Sequence, residues 1–313
     1  MQPLRDALLW LSRRQAVGRS MKRLPLCQRI VARFVAGRSR TDAIATAKPL
    51  IDDGFSVTFA YLGEEVDDPA EAADAVDEYR LLIATIGDSG LAGHCRVAVK
   101  PSLLGLHLDP VVAATHLGKI ATDAERRDVG IELDMERADT VDGTLALFRS
   151  GLSHHPDLGI ALQAYLRRSA ADLDALIEDG IAHVRLVKGA YSEDRSIALA
   201  GASNVKSAYH RMMRRLLDPA TIHQGATVAI ATHDQTLIGA ARTRALRQRV
   251  PDDRWEVQML YGVRPNLQRR LLREGYSVRI SLPYGERWYP YFVRRIGERP
   301  ANLWFAMRQI VER

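Results

Sequence analysis

The sequence predicts an α/β fold in which eight strand–helix units close into a barrel, preceded by an N-terminal helical arm. Three observations predict it. From residue 55 onward, short β-branched runs alternate with longer helical stretches, the pattern of parallel βαβ units. Polar and ionisable residues recur at the C-terminal ends of those runs, the end where a barrel gathers its functional side chains. No GxGxxG turn follows the first strand, so a dinucleotide would bind by a route other than the open-sheet fingerprint. Strand counting alone also admits an open doubly wound sheet.

The arm is read as residues 1–54 and the barrel as residues 55–313. Within the arm, Leu4, Leu8, Leu9, Leu11 and Val17 form an apolar stripe beside Arg5, Arg13 and Arg14. A second amphipathic run covers Leu26 to Val35, and a third begins near Thr41, read as its N-cap, and stops at Gly54. These helices either pack on the barrel or lie on a membrane surface, and packing is the favoured reading. The strands expected after them are Ser56–Leu62, Arg96–Lys100, Gly130–Met135, Gly159–Ala164, Ala182–Val187, Ala226–Ala231, Trp255–Leu260 and Val278–Leu282. Helical patterns between them include Pro69–Ile86, Thr140–Phe148, Ala170–Ile177, Val205–Leu217, Gln235–Arg247 and Asn266–Arg273.

Composition narrows the function classes. A chain of 313 residues with 47% hydrophobic and 26% charged residues can bury a sizeable core, and one large barrel plus an arm accounts for the length. Two cysteines, Cys27 and Cys95, are too few for a disulfide framework, so a reducing, cytoplasmic setting is expected. No apolar run approaches a membrane span, and Arg5, Asp6, Arg13 and Arg14 interrupt any signal-peptide core. The net charge of +6 is spread along the chain without a nucleic-acid-binding motif, so no nucleic-acid partner is expected. Walker A, HExxH and GxSxG patterns are missing as well.

Two gatherings of residues carry the chemistry. Lys100, Asp134, Glu136, Gln163, Arg185, Lys188, Thr232, His233, Gln258 and Ser281 fall at strand ends and would converge on one mouth. Singly, each has the bland explanation that strand ends emerge into solvent; their recurrence over six or more strands raises the functional reading. Tyr291, Arg294, Arg295 and Glu298 share one face of the closing helix by their spacing of three and four. Paired guanidinium groups suit a substrate carboxylate, with charge-assisted bonds of about 1.5–3 kcal/mol each. A solvated Arg–Glu face has the same composition, but this helix follows the last strand directly and can lean over the mouth.

Several of these segments together resemble the proline dehydrogenase family. Val184–Tyr191 (VRLVKGAY) is similar to the family's RLVKGAY strand end, and Leu282–Gly285 followed by Trp288–Pro300 resembles its closing YxxRRxxE helix. Glu132–Glu136, Gln163–Tyr165, Ala231–Asp234 and Glu256–Gly262 add support, and the match runs from about residue 40 to the C-terminus. The resemblance implies a distorted (βα)8, TIM-like barrel that holds FAD at its strand ends. It implies oxidation of L-proline to pyrroline-5-carboxylate by hydride transfer, with electrons passed to a quinone. Partners implied are that quinone, a pyrroline-5-carboxylate dehydrogenase acting on the product, and peripheral contact with the inner face of the membrane. By position, Asp134 and Arg185 take the family's two polar catalytic places, the arginine near flavin N5. Lys100, Ser281, Tyr291, Arg294, Arg295 and Glu298 fall on substrate-side positions, with the two arginines as the carboxylate clamp. Flavin contacts fall on Met135, Gln163, Arg185, Val187, Lys188, Gly189, Ala190, Tyr191, Thr232 and His233.

The chain departs from the family at Ser281, where most members carry a tyrosine packed over the substrate ring. Serine leaves a gap and adds a hydroxyl, so a ring-hydroxylated proline and proline itself are weighed equally as substrate. Two rivals come from other classes. One is a Schiff-base lyase using Lys100 or Lys188; the other is a binding protein using the basic helix that carries Arg242, Arg244, Arg247 and Arg249.

Overall fold

The computed structural model describes residues 25–63, 65–180 and 183–298. The strands are β1 (Ser56–Tyr61), β2 (Cys95–Val99), β3 (Gly130–Leu133), β4 (Gly159–Gln163), β5 (His183–Val187), β6 (Thr227–Ala231), β7 (Trp255–Leu260) and β8 (Val278–Tyr284). They pair in parallel and in sequence order, and β8 closes on β1, so the sheet is a barrel and the open-sheet alternative falls away. The helices are α1 (Pro25–Ala32), α2 (Arg40–Asp52), α3 (Pro69–Asp88), α4 (Pro110–Glu125), α5 (Val141–Gly151), α6 (Ser169–Glu178), α7 (Ala202–Leu216), α8 (Pro219–His223), α9 (Gln235–Gln248), α10 (Pro265–Arg273) and α11 (Trp288–Glu298). One barrel helix absent from the sequence reading is α4, although its start is well marked. Asp109 accepts from the Val111 and Val112 amides at 2.8 and 3.2 Å, and Pro110 opens the helix.

The start of α2 corrects another expectation. Its N-cap is Ser39, whose hydroxyl accepts from the Asp42 amide at 3.1 Å, while the Asp42 carboxylate accepts from the Ser39 amide at 3.1 Å. This reciprocal box places Thr41 inside the first turn rather than at the cap. The apolar stripe expected over residues 4–17 lies outside the described residues.

Two helices stand outside the regular repeat. Helix α2 buries Ala43, Ile44 and Ala47 in the main core and packs against both β1 and β8. It thereby covers the closing seam, the place a helix after β8 would otherwise take. Helix α11 instead joins a second apolar cluster. There Trp288, Tyr289, Phe292 and Val293 pack with Ile30, Val31, Phe34 and Val35 of the arm, and with Leu62 and Val263 from loops after β1 and β7. Phe34 and Phe292 meet with ring centroids 6.2 Å apart. The arm is also stitched to the rim by backbone, with the Ala36 amide donating to the Pro283 carbonyl at 2.8 Å. Gly262 permits the approach: its φ is +72°, and a Cβ there would lie 1.8 Å from the Arg33 carbonyl oxygen. The described part of the arm therefore packs on the barrel. Among the described residues, no helix is long and apolar enough to cross a membrane.

The barrel interior is charged, and the strand register explains how the charges fit. Ala98 and Gly159 flank Glu132, while Ala161 and Ala229 flank Arg185, so small neighbours leave room for each long side chain. Arg185 donates from one terminal nitrogen to Glu132 at 2.7 Å and from the other to Asp134. Gln258 donates to Glu256 at 2.9 Å and reaches Glu132 at 3.4 Å. Arg279 donates through Nε to both oxygens of Glu256 at 2.8 and 3.0 Å, and through Nη1 to the carbonyls of Val57 and His94 at 3.1 and 3.2 Å. Water is excluded, so each charge must find a partner; stranding one typically costs roughly 3–5 kcal/mol.

These groups give the fold an acid-sensitive stability. Burial pushes the Glu132 and Glu256 carboxyls up, but the guanidinium groups of Arg185 and Arg279 overcome it and hold both below the ordinary carboxylate range. Burial also lowers His183, which stays neutral at the base of the barrel. In all three cases the unfolded chain binds protons that the folded chain refuses, so stability rises with pH and is lost on acidification. The His183 contribution starts to fall below the ordinary imidazole value of 6.5, and those of the carboxylates below 4.5. The midpoint of thermal unfolding should drop by about 5 °C or more between pH 7 and pH 4.5. A midpoint that is flat or rises over that interval would contradict this account.

Candidate active site

The inward positions of the strands bring most of the sequence-predicted residues together at the C-terminal mouth. Lys100 leaves β2 and donates from Nζ to the Tyr61 carbonyl at 2.9 Å, which ties it to the end of β1. The Tyr61 ring packs edge-on to Tyr79 and tilted against Tyr284, with centroids 5.9 and 5.5 Å away, forming an aromatic wall beside the lysine. Glu136 also stands at this end, but as a brace. It accepts from the amide and hydroxyl of Ser102, both at 2.8 Å, and fixes the turn that follows Lys100. Burial raises the Glu136 carboxyl despite those two bonds.

Asp134 and Arg185 form an ion pair at the rim, and Glu132 lies beneath it, fully buried. Burial disfavours the Arg185 cation, yet Glu132 and Asp134 outweigh it and leave the guanidinium more firmly charged than an ordinary arginine. Arg185 Nε is buried and has no hydrogen-bond partner. Gln163, at the end of β4, donates to the carbonyls of Met135 and Glu136 at 2.8 and 3.2 Å. That fixes the amide with its oxygen buried and without a donor. One buried donor and one buried acceptor at the mouth are therefore unmatched. Such groups are rare in folded proteins and point to a ligand carrying complementary atoms.

On the β5–β6 side, Val187 ends its strand by accepting from the Ala164 amide at 2.9 Å, and Lys188 then turns toward Asp234 at 3.2 Å. Lys206 reaches the same carboxylate at 3.3 Å, so two ammonium groups share one acid. Burial raises the Asp234 carboxyl, but the Thr236 hydroxyl and the two lysines more than reverse this. Gly189 has φ of +101°, and a Cβ there would lie 2.0 Å from the Tyr165 ring. The constraint visible at this glycine is therefore the tyrosine packed on it. Ala190 is exposed, and Tyr191 is 38% exposed, on the outer edge of the cluster. Thr232 is buried and accepts from the Asp234 amide at 3.2 Å. His233 accepts through Nε2 from the Leu260 amide at 3.3 Å, and its carbonyl accepts from Arg264 at 2.7 Å. Both residues are thus held between β6 and β7.

Ser281 is half-buried on β8, in register with Thr58 of β1 and Leu260 of β7. The Thr58 hydroxyl is buried and has no hydrogen-bond partner. Tyr291 lies on α11 and packs against the arm cluster. Arg294, Arg295 and Glu298 belong to the same helix, and their side chains lie outside the described residues.

Sequence reasoning passed over Glu132, Glu256 and Arg279 as members of the charged interior, and Asp234 and Lys206 as members of the basic edge. A parity signal was present: an acid two residues before Asp134 on β3 must share its face of the sheet. The rival readings lose ground on the same geometry. Lys188 is engaged by a carboxylate, and an ammonium so held has no lone pair for carbonyl attack. On the basic helix, Arg242 stacks on Tyr276 at 4.4 Å and Arg244 pairs with Asp218 at 3.2 Å, so these cations serve packing within the chain.

Comparison with known proteins identifies the family. The family model described as proline dehydrogenase matches residues 43–308. The chain is 35% identical over 311 residues to proline dehydrogenase 2 of Bacillus subtilis subsp. natto, covering 99% of both chains. It is also 35% identical over 291 residues to proline dehydrogenase of Deinococcus radiodurans, covering 90% of each. Among solved structures, proline utilization A (PutA) from Bdellovibrio bacteriovorus, inactivated by N-propargylglycine, superposes with a TM-score of 0.80 at 24% identity. That likeness concerns the fold, and it covers 86% of this chain and 32% of the longer one. With a barrel of the same architecture, and a family match spanning all eight strands and the closing helix, the chain belongs to the proline dehydrogenase family.

Proposed function

We propose that this protein oxidises L-proline to 1-pyrroline-5-carboxylate, the first step of proline catabolism, with FAD bound at the strand ends and a quinone as electron acceptor. The observation that carries the cofactor reading is the unmatched pair at the mouth, the Gln163 amide oxygen and Arg185 Nε, both buried. A flavin ring carries N–H donors as well as nitrogen and carbonyl acceptors, so it can satisfy both. Lys188 and Lys206, sharing only Asp234, suit the anionic pyrophosphate. Met135, Val187, Gly189, Ala190, Tyr191, Thr232 and His233 would complete the cradle. FAD, when bound, supplies the two-electron acceptor for the hydride.

The chain's own residues supply binding and orientation. Arg294 and Arg295 would clamp the substrate carboxylate from α11, with Glu298 offsetting their repulsion and Tyr291 bracing the helix. Lys100 would polarise the substrate side from the end of β2. Asp134 and Arg185 form the polar pair beside the reacting atoms. Holding the substrate between a carboxylate clamp and a flat ring restrains it near the attack geometry. A quinone acceptor places the working enzyme at the membrane surface as a peripheral protein, and its product is the substrate of a pyrroline-5-carboxylate dehydrogenase.

A second substrate reading, a ring-hydroxylated proline, is favoured by one observation. Ser281 stands in register with the unpartnered Thr58 hydroxyl, so two small hydroxyl side chains line that wall of the barrel where a tyrosine would fill it with a ring.

An anaerobic visible spectrum of the purified protein tests the main reading. A flavin band that bleaches on addition of L-proline is expected; purified protein that carries no flavin and takes up no added FAD would overturn it. Arg294→Met and Arg295→Met should each raise KM for proline by roughly 10- to 150-fold, the equivalent of one charge-assisted contact. Unchanged KM in both would remove the clamp. Ser281→Tyr should lower the ratio of hydroxyproline to proline turnover, and an unchanged ratio would remove the second reading.

A further inference from the structure

We propose that Glu132 is the positioning residue for Arg185, aiming its guanidinium at the mouth and setting the charge around it. The inference rests on the flavoenzyme reading above and concerns a residue two positions below the rim.

Each terminal nitrogen of Arg185 is taken by a different carboxylate, Glu132 from inside the barrel at 2.7 Å and Asp134 at the rim. A guanidinium gripped at both ends cannot swing in its own plane, and Nε is left facing buried space without a partner. Asp134 alone would hold only one end. Glu132 is itself fixed, because its second oxygen faces the Gln258 amide at 3.4 Å and that amide is bonded to Glu256 at 2.9 Å. Glu256 is gripped by Arg279, which is anchored on the Val57 and His94 carbonyls. The aim of Arg185 is therefore indexed, through four side chains, to the backbone at the bottom of β1 and β2.

The charge balance is as specific as the geometry. Two carboxylates meet one guanidinium, so the cluster at the rim carries an excess negative charge. His183 faces Glu132 at 3.6 Å, beyond hydrogen-bond reach, and donates no charge while neutral. A negative surplus beside the cofactor opposes the arrival of further electron density, and in a dry interior it acts with little screening. Removing the Glu132 charge should therefore make the bound flavin easier to reduce.

Two variants separate the roles. Glu132→Gln keeps the side-chain size and removes the charge, with Arg185 still paired to Asp134. Glu132→Asp keeps the charge and withdraws the carboxylate by one methylene. In FAD-loaded Glu132→Gln, the flavin midpoint potential should move to more positive values than in the wild type. Both variants should lose about tenfold or more in kcat for proline, with KM within about twofold of the wild type, as expected of a misaimed reacting pair. Should the glutamine variant fail to fold, the kcat-against-KM split of the aspartate variant decides alone. A potential that stays put in Glu132→Gln, or a kcat retained in Glu132→Asp, would overturn the proposal and leave Glu132 a structural ion-pair member. Wild-type protein that binds no flavin would instead end the flavoenzyme reading, so the two failures are distinguishable.

Discussion

Ion pairing inside a closed sheet governs this molecule. Eight parallel strands leave an interior that water cannot enter, and most such interiors are filled with branched apolar side chains. Here β3, β5, β7 and β8 place acids and arginines on the inner face, and the strands between them answer with glycine and alanine. Every inward charge is then compelled to meet another, because an ion buried alone is far less stable than one in water. This requirement fixes rotamers along the barrel axis. It hands the mouth an arginine whose orientation is set before any ligand arrives.

The upper end of the barrel is a different kind of surface. Its loops satisfy themselves where they are structural, as with Glu136 on Ser102 and His233 on Leu260. Polar atoms without a partner are left at the same end, at Gln163 and Arg185. The braced groups and the unmatched ones therefore stand side by side on one rim.

Much of this was legible in the sequence. The eight strands were marked by β-branched runs separated by helical periods, and each observed strand overlaps its expected span. The mouth residues were legible too, because strand ends in a barrel converge whatever the details of packing. Three features were hidden for physical reasons. The cap of α2 depends on a reciprocal side-chain bond, and Ser39 and Thr41 are both cap-forming types two residues apart. Helix α4 has an apolar surface interrupted by His116 and Gly118, which weakened its period although both are accommodated inside. The interior ion-pair chain joins Glu132 to Gln258, residues 126 positions apart, and only the closed register brings them together.

The helix that precedes β1 has an effect on how the protein can change. Because α2 seals the seam between β8 and β1, the helix after β8 is released from closing the barrel and packs on the arm instead. Closure of the sheet and seating of the arm are thereby assigned to separate stretches of chain. Substitutions among Ile30 to Val35, or on the apolar face of α11, can change how tightly the arm is seated while the sheet keeps its register. The two can therefore diverge together without disturbing strand pairing.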